Sequence, residues 1–370
     1  VNHELKTCRL CGESVKEVLR LEDTPIANSF PEVPNCGQKY PLNLNQCTSC
    51  GHVQIGFIVD DDVLYGAHYK YSTPDVLKSY LTERAITLRK EFPDAQNALE
   101  IGANNGLFLH ALRDNGFPVV VGVDPSSKDP LVWKLPFGMD IVKLLERRCG
   151  RFDLIVANNV LAHISDLDDV FNAIYEMLSS YGTLVFENQY LIDMVGTSAF
   201  DMIYHEHKDY HSLRPLARFL KKHGMVMTKY ERVDLHNGSI RVYASKHGVE
   251  CELPPENPDF RKFAKNIARI KQSMNIAIGN EKVVCFGATA KACTLIHHCG
   301  IADKIEYCVD STKEKQGKYI PGTAIQIKPE TELEQHKKVL VTAWNYAGYI
   351  KSKYPNTRMI VPFVQLNKAA

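Results

Sequence analysis

The chain has 370 residues, 45% hydrophobic and 24% charged, and its 44 Lys and Arg against 43 Asp and Glu leave a formal net charge of +1. That balance gives no global electrostatic case for DNA, RNA or an anionic membrane as partner, and no stretch approaches the roughly 18 apolar residues of a membrane span. The length suggests two or three domains, and the opening residues VNHELKTCRL lack the charged-then-apolar pattern of a secretory signal, so a cytoplasmic protein is expected.

Residues 1–75 are rich in Cys, Pro, Asn and Gly and poor in periodic runs, as expected of a small domain held by something other than a core. TCRLCG and QCTSCG place Cys8, Cys11, Cys47 and Cys50 in two knuckles, each followed by a glycine that admits a tight turn with backbone N–H groups facing sulfur. Four thiolates suit a tetrahedral Zn²⁺ with no open position, which makes the metal structural. The 35 residues between the knuckles leave room for an insertion. The other seven cysteines are scattered, mostly in apolar surroundings, and take no role.

Residues 76–250 open with VLKSYLTERAITLRKEF, whose apolar positions recur three and four apart and predict a helix. The stretch ALEIGANNGLFLHALRDNG then runs from a short apolar strand through a glycine loop into an amphipathic helix. The next strand, VVVGVD, ends on Asp124. Strand FDLIVANNVLAHI, helix DLDDVFNAIYEMLSSYG and strand TLVFENQYL continue the alternation, which implies a mostly parallel sheet covered by helices on both faces.

The proline-rich ELPPENPDF marks a boundary, and residues 251–370 repeat the architecture without repeating the sequence. A helix RKFAKNIARIKQSMNIAI leads into strand KVVCFGA, helix AKACTLIHHCG and strand KIEYCVD, and VLVTAW and RMIVPF read as further strands around helix AGYIKSKY.

Two strand-to-helix loops invite ligands. The first, Glu100-Ile-Gly102-Ala-Asn104-Asn-Gly106, is an ExGxxxG arrangement and not GxGxxG. Its glycines let backbone approach a ligand closely, and Asp124 is placed to accept from both hydroxyls of a ribose. A dinucleotide needs its pyrophosphate on the helix N-terminus, whereas S-adenosylmethionine brings an ammonium, a carboxylate and a sulfonium, which an acidic residue on the entry strand suits better. The second loop, Gly287-Ala288-Thr289-Ala290-Lys291, has a glycine, a hydroxyl and a lysine at a helix start, a combination suited to phosphate. A loop that only packs is the alternative on these residues. Lys313, Lys315 and Lys318 downstream offer positive charge or a solvated face.

The segment Ile203-Tyr-His-Glu-His-Lys-Asp-Tyr-His211 crowds three histidines, two tyrosines and two acids into nine positions. It is not a zinc-protease HExxH, because Asp209 stands at the fifth place. A histidine-rich surface loop is the bland alternative. Its position beyond TLVFENQYL puts it at the carboxyl edge of the sheet, where open α/β folds bind ligands. There a histidine beside glutamate and tyrosine suits a general base with a phenol donating to a developing oxyanion.

In this order, the paired CxxCG knuckles, the Tyr65-Gly-Ala-His-Tyr-Lys-Tyr71-Ser stretch, EIGANNG, NNVLAHISD, FDMIYHEHKDYHSL, HNGSIRVY, FGATAK, KQGKYIPGT and AWNYA resemble one family. It is the zinc-containing, S-adenosylmethionine-dependent sugar C-methyltransferases that act on nucleotide-linked 4-keto sugars. The resemblance spans nearly the whole chain. It implies a Rossmann-like S-adenosylmethionine methyltransferase core between an N-terminal zinc-binding domain and a C-terminal second Rossmann-like α/β domain that binds the nucleotide sugar. It implies C3 methylation of a nucleotide-linked 4-keto deoxysugar in deoxysugar biosynthesis: His207 takes the C3 proton, Tyr204 donates to the enolate oxygen, Glu206 orients or polarises His207, and His163 assists. Cofactor contacts are expected from Glu100, Gly102, Asn104, Gly106, Asp124 and Asn158, and substrate contacts from Tyr71, Asn237, Lys291 and Lys318. The chain departs from the family pattern at Asn105, at Asn237 in HNGS, and at Ala292-Cys293 after the lysine.

Three other functions compete, of which a non-catalytic binding module that keeps the cofactor fold is disfavoured by the intact Tyr204-His-Glu-His207 segment. Methyl transfer to an oxygen or nitrogen of a sugar or other small molecule needs a base but no adjacent ketone. A zinc-ribbon nucleic-acid methyltransferase is disfavoured by the balanced charge, by the lack of Pro-Pro after NNVLAH and by the lack of any Pro-Cys pair for a pyrimidine nucleophile. A nucleoside-diphosphate sugar, and neither nucleic acid nor membrane, is the expected partner, for a monomer or weak homodimer.

Overall fold

The computed structural model describes residues 2–66, 77–235, 237–334 and 337–363. The N-terminal part contains β1 (His3–Glu4), β2 (Val15–Arg20), β3 (Asn43–Cys47), β4 (Val53–Ile55), β5 (Phe57–Ile58) and the short helix α1 (Asp61–Leu64). Strand β1 pairs antiparallel with β5, and β2, β3 and β4 pair antiparallel in that order. Leu42, Leu44, Val53 and Ile55 are completely buried, in one apolar cluster with Phe200, Ile203 and Leu295 from the other parts of the chain. The knuckles therefore supplement a core that this segment shares with its neighbours, rather than replacing one.

The middle part runs α2 (Lys78–Glu91), β6 (Asn97–Ile101), α3 (Leu107–Asp114), β7 (Val119–Val123), β8 (Val132–Trp133), α4 (Met139–Cys149), β9 (Phe152–Asn158), α5 (Leu167–Met177), β10 (Leu178–Gln189), α6 (Leu191–Thr197), β11 (Asp209–Tyr210), α7 (Leu213–Lys222), β12 (Val226–Val233) and β13 (Ser239–Ser245). Seven of these strands form a sheet in the order β12-β13-β10-β9-β6-β7-β8. It is parallel from β10 to β8, and β13 and β12 extend it as an antiparallel edge. Parallel neighbours need crossovers, which α3, α4 and α5 supply. The LSSYG stretch, expected to continue α5, is already strand, because β10 starts at Leu178 and a register shift before Thr183 absorbs the irregularity.

Strand β11 stays out of that sheet. It pairs antiparallel with β4, with Asp209 opposite Gln54 and Tyr210 opposite Val53, so the histidine-rich segment supplies the fourth strand of the N-terminal sheet.

The linker is anchored through Glu256, whose carboxylate accepts from the backbone N–H groups of Leu213 and Arg214 at the start of α7 and from Tyr190 Oη. The C-terminal part then runs α8 (Phe260–Ile278), β14 (Val283–Phe286), α9 (Ala290–Cys299), β15 (Ile305–Val309), β16 (Gln326–Lys328), β17 (Lys338–Val341), α10 (Ala347–Lys353) and β18 (Arg358–Ile360). Its five strands form a parallel sheet in the order β16-β15-β14-β17-β18. No helix among the described residues is long and apolar enough to cross a membrane.

The insertion between the knuckles bridges the molecule. Asn35 N–H donates to Thr323 O, Gly322 N–H to Cys36 O and Tyr319 N–H to Pro31 O, which tie it to the KYIPGT turn of the C-terminal part.

Candidate active site and cofactor site

The four knuckle cysteines converge. Cys8 Sγ lies 3.7 Å from Cys50 Sγ and Cys11 Sγ 3.5 Å from Cys47 Sγ, with all four within 4.8 Å of one another. A tetrahedral zinc with bonds of ~2.3 Å sets its sulfurs about 3.8 Å apart, so the cluster has the right size. The N–H groups of Ser49 and Cys50 both face Cys47 Sγ at 3.4 Å, the arrangement that stabilises a metal-bound thiolate. The chemistry and spacing of the donors fit structural zinc.

At the carboxyl end of β6 the chain turns sharply. Gly102 has φ 72°, Asn104 φ 47° and Gly106 φ 74°. A Cβ on Gly102 would sit 2.6 Å from Val160, and one on Gly106 would sit 2.7 Å from the Asp129 carboxyl, so no larger residue fits either place. Asp124, at the end of β7, holds the loop by accepting from Asn104 N–H at 3.0 Å and from the N–H and hydroxyl of Ser126. Glu100 Oε2 is buried without a partner, as is Asn158 Nδ2 at the end of the adjacent β9. Burial, reinforced by the Asp124 charge, pushes the Glu100 carboxyl up to about 8. A buried carboxyl short of a cation, beside a glycine cradle and an unsatisfied amide, fits a ligand that carries an ammonium, as S-adenosylmethionine does.

The segment after α6 rests against the carboxyl ends of β9 and β10. Lys208 N–H donates to Ala162 O, and Leu191 N–H donates to His211 O. Within it, His207 Nδ1 faces Met202 O at 3.1 Å. A carbonyl can only accept, so Nδ1 carries a proton, and in the neutral ring Nε2 then keeps its lone pair. Tyr204 Oη lies 2.7 Å from that Nε2 and, in this tautomer, donates to it, with the two rings tilted by 33° at 4.0 Å between centroids. His163 packs edge-on against His207 at 4.9 Å. Burial, then the Lys208 charge, lowers His163 to about 4, so it is a neutral imidazole at physiological pH. Tyr65 Oη lies near His163 Nδ1 and the His163 and Glu206 carbonyls at 3.3–3.4 Å.

Glu206, expected to orient or polarise His207, is fully buried and makes its side-chain hydrogen bonds to Asn28. Its Oε1 accepts from both N–H and Nδ2 of Asn28 at 3.0 Å, while the Met202 carbonyl orients His207. Burial raises the Glu206 carboxyl above its usual range. The neighbouring residues, to which sequence reading gave no role, dock the segment. His205 Nε2 donates to Pro41 O, Lys208 Nζ binds Asp61, Ser165 and His163 O, and Asp209 binds Arg9 and His52.

The C-terminal loop repeats the design of the cofactor loop. Gly287 has φ 101°, and Ala288 N–H donates to Asp310 Oδ2 at 2.7 Å at the end of β15, as Asn104 does to Asp124. Lys315 brings its ammonium to Ala288 O at 2.8 Å; Lys318 is only placed in the following turn, its N–H on Lys315 O. Lys291 lies over the Trp344 ring and bonds Asn345, and its amine is lowered by burial against the opposing pull of Asp201. Trp344 Nε1 donates to Asp201 Oδ2 at 2.6 Å, and Thr294 Oγ1 donates to Ile203 O at 2.7 Å, so this domain grips both residues flanking Met202.

Tyr204, Glu206, His207 and His163 are thus assembled in one place, and Glu100, Gly102, Asn104, Gly106, Asp124 and Asn158 in another at the same sheet edge. Asn237, with φ 64°, lies on the β12–β13 turn, where the next residue, Gly238, accepts from Tyr190 N–H. Tyr71 lies outside the described residues. Arg9, Asn28, His52, Asp61, Met202 and Asp201 were not found from sequence. Asp310 had a signal, since IEYCVD ends on an acid as VVVGVD does.

The sheet order and the glycine-cradled loop beside an unsatisfied carboxyl define the Rossmann-like core of an S-adenosylmethionine-dependent methyltransferase. Family models described as "Putative zinc binding domain", "Methyltransferase domain" and "C-methyltransferase C-terminal domain" match residues 8–65, 73–230 and 255–361. The chain is 29% identical over 382 aligned positions to C-methyltransferase NovU of Streptomyces niveus, covering 93% of this chain and 90% of that protein. Together these matches show an S-adenosylmethionine-dependent C-methyltransferase with an N-terminal zinc-binding domain. Solved structures that match part of the chain include magnesium protoporphyrin IX methyltransferase from Synechocystis PCC 6803, at 12% identity and TM-score 0.35 over 48% of this chain and 90% of that one. N-methyltransferase NodS from Bradyrhizobium japonicum WM9 matches at 14% identity and TM-score 0.33, over 46% of this chain and 96% of that one.

Proposed function

We propose that this C-methyltransferase acts on C3 of a nucleotide-linked 4-keto deoxysugar, through an enolate, in cytoplasmic deoxysugar biosynthesis. The observation that carries the reading is the state of His207, whose Nδ1–H is committed to Met202 O so that Nε2 stands as a base beside the Tyr204 hydroxyl. A carbon acid next to a ketone is too weak to ionise unaided near neutral pH, so it needs both a base and a donor to the developing oxyanion. In this reading His207 Nε2 takes the C3 proton, and rotation of the Tyr204 O–H turns the same donor from His207 toward the C4 oxygen. Neutral His163 packs the base from the side without adding a competing charge. Glu100, Asp124 and the Gly102–Gly106 loop would hold the cofactor, which supplies an electrophilic methyl group when bound. The Gly287 loop with Lys291 and Lys315 offers N–H groups and cations for the diphosphate, and its domain grips the segment that bears the base.

Incubation with a C3-deuterated nucleotide 4-keto sugar tests the reading. Loss of the label with gain of a carbon-bound methyl is expected. A methylated product that keeps all its deuterium would overturn it in favour of oxygen or nitrogen transfer.

A further inference from the structure

Both cysteine knuckles send one side chain to the same buried carboxylate. Arg9 lies between the ligands Cys8 and Cys11, and His52 follows Cys50 by two residues. Arg9 Nε donates to both oxygens of Asp209 at 3.0 and 3.1 Å, its Nη1 to Ser165 O at 3.1 Å and its Nη2 to Ile164 O at 2.5 Å. His52 Nε2 meets Asp209 Oδ1 at 2.8 Å. The Asp209 and His52 side chains are fully buried, and that of Arg9 is only 11% exposed. The backbone joins in the same way, since Ile55 N–H donates to Lys208 O and β11 pairs with β4.

We propose that the zinc knuckles are the positioning clamp of the base, with Arg9 and His52 holding Asp209 and thereby placing His207 two residues upstream. A metal with four thiolate ligands fixes the backbone on either side of Arg9, and a planar guanidinium making four directed bonds transmits that geometry. One arginine also ties the stretch after His163 to the stretch after His207, so the two imidazoles keep their contact. Arg9 is a positioning residue, since its bonds run to Asp209, Ser165 and Ile164. The importance of the clamp for turnover rests on the reading of His207 as the base.

Arg9→Met tests it, followed by zinc content, S-adenosylhomocysteine affinity, hydrogen exchange and turnover. The variant should keep one zinc per chain and bind S-adenosylhomocysteine within about twofold of the parent, while exchange over residues 203–211 quickens and kcat falls roughly 10- to 100-fold. Arg9→Lys should recover only part of the loss, because an ammonium cannot reproduce the fork. Unchanged exchange at 203–211 with unchanged kcat would overturn the proposal. Should Arg9→Met fail to fold, Asp209→Asn and zinc removal from the parent protein ask the same question. Exchange at 203–211 should quicken while 97–101 stays protected, and protection at 203–211 that survives zinc loss would overturn the clamp. An active His207→Ala variant would sink the base assignment alone, since the exchange measurement decides the clamp without it.

Discussion

Asn28 and Glu206 are 178 positions apart and meet through two hydrogen bonds of 3.0 Å, both to the same carboxylate oxygen. The insertion between the zinc knuckles thus reaches the 203–211 segment directly, and leaves the other oxygen of Glu206 buried without a partner. Glutamine keeps an acceptor for Asn28 and removes a carboxyl whose ionised form burial disfavours. Glu206→Gln should therefore fold with unchanged or higher Tm. Glu206→Leu strands two donors and should cost roughly 1–3 kcal/mol by denaturant titration. If Glu206 polarised the base, Gln would be as damaging to kcat as removal of His207; we expect a loss at least about tenfold smaller.

His207→Ala should abolish exchange of the substrate C3 proton with solvent and turnover together, while S-adenosylhomocysteine binds within about twofold of the parent by calorimetry. Tyr204→Phe removes the donor proposed for the enolate oxygen, and kcat should fall on the order of 10²-fold with little change in cofactor affinity. Retention of proton exchange by His207→Ala would take the base role away from it.

Glu100 gives the ligand-free protein a pH dependence of definite sign. Its carboxyl is raised from 4.5 to about 8, so between those values the native state binds more protons than the unfolded chain and stability falls as pH rises. Glu100→Gln removes the burden and should stabilise the ligand-free protein at pH 8 by roughly 4 kcal/mol, with little effect near pH 4.5. Denaturant melts of both proteins across that range measure the difference in slope.

Three buried histidines act in the opposite direction. Burial is the largest cause that lowers His163, His205 and His211 from 6.5 to about 4. In that window the unfolded chain binds more protons, so their stability is fully present above about pH 6.5 and is lost as pH falls toward about 4. Both ring nitrogens of His211 are buried without partners, so Phe is a fair replacement. His211→Phe should raise Tm at pH 5 relative to the parent and change it little at pH 8. Imidazole resonances of His163 should not titrate above pH 5.

Lys315, whose ammonium meets Ala288 O, and Lys318, whose backbone alone is fixed there, should separate in kinetics. Lys315→Met is expected to raise KM for the nucleotide-linked substrate about tenfold and leave KM for S-adenosylmethionine unchanged. Lys318→Met should change either by less than about threefold. Equal effects would remove the distinction between the two lysines.

What the sequence determined by itself was local and periodic. The knuckles had to converge because CxxCG places two thiolates on one turn. The loop after β6 had to be tight because Gly102 and Gly106 occupy positive φ with no space for a Cβ. The alternation of short apolar strands with amphipathic helices required parallel sheets. Tyr204 and His207, three apart in the chain, were legible as a pair for the same reason. Tertiary structure alone decided which group orients His207, since Met202 offers only a backbone carbonyl, and every residue has one. It also decided that β11 joins the zinc sheet, that Arg9, Asn28 and His52 converge on a segment more than 150 residues away, and that Trp344 and Thr294 grip it from the other side. Those contacts carry no spacing in the chain. They arise because burying Glu206 and Asp209 requires donors, and the fold brings those donors from whichever domain packs against them.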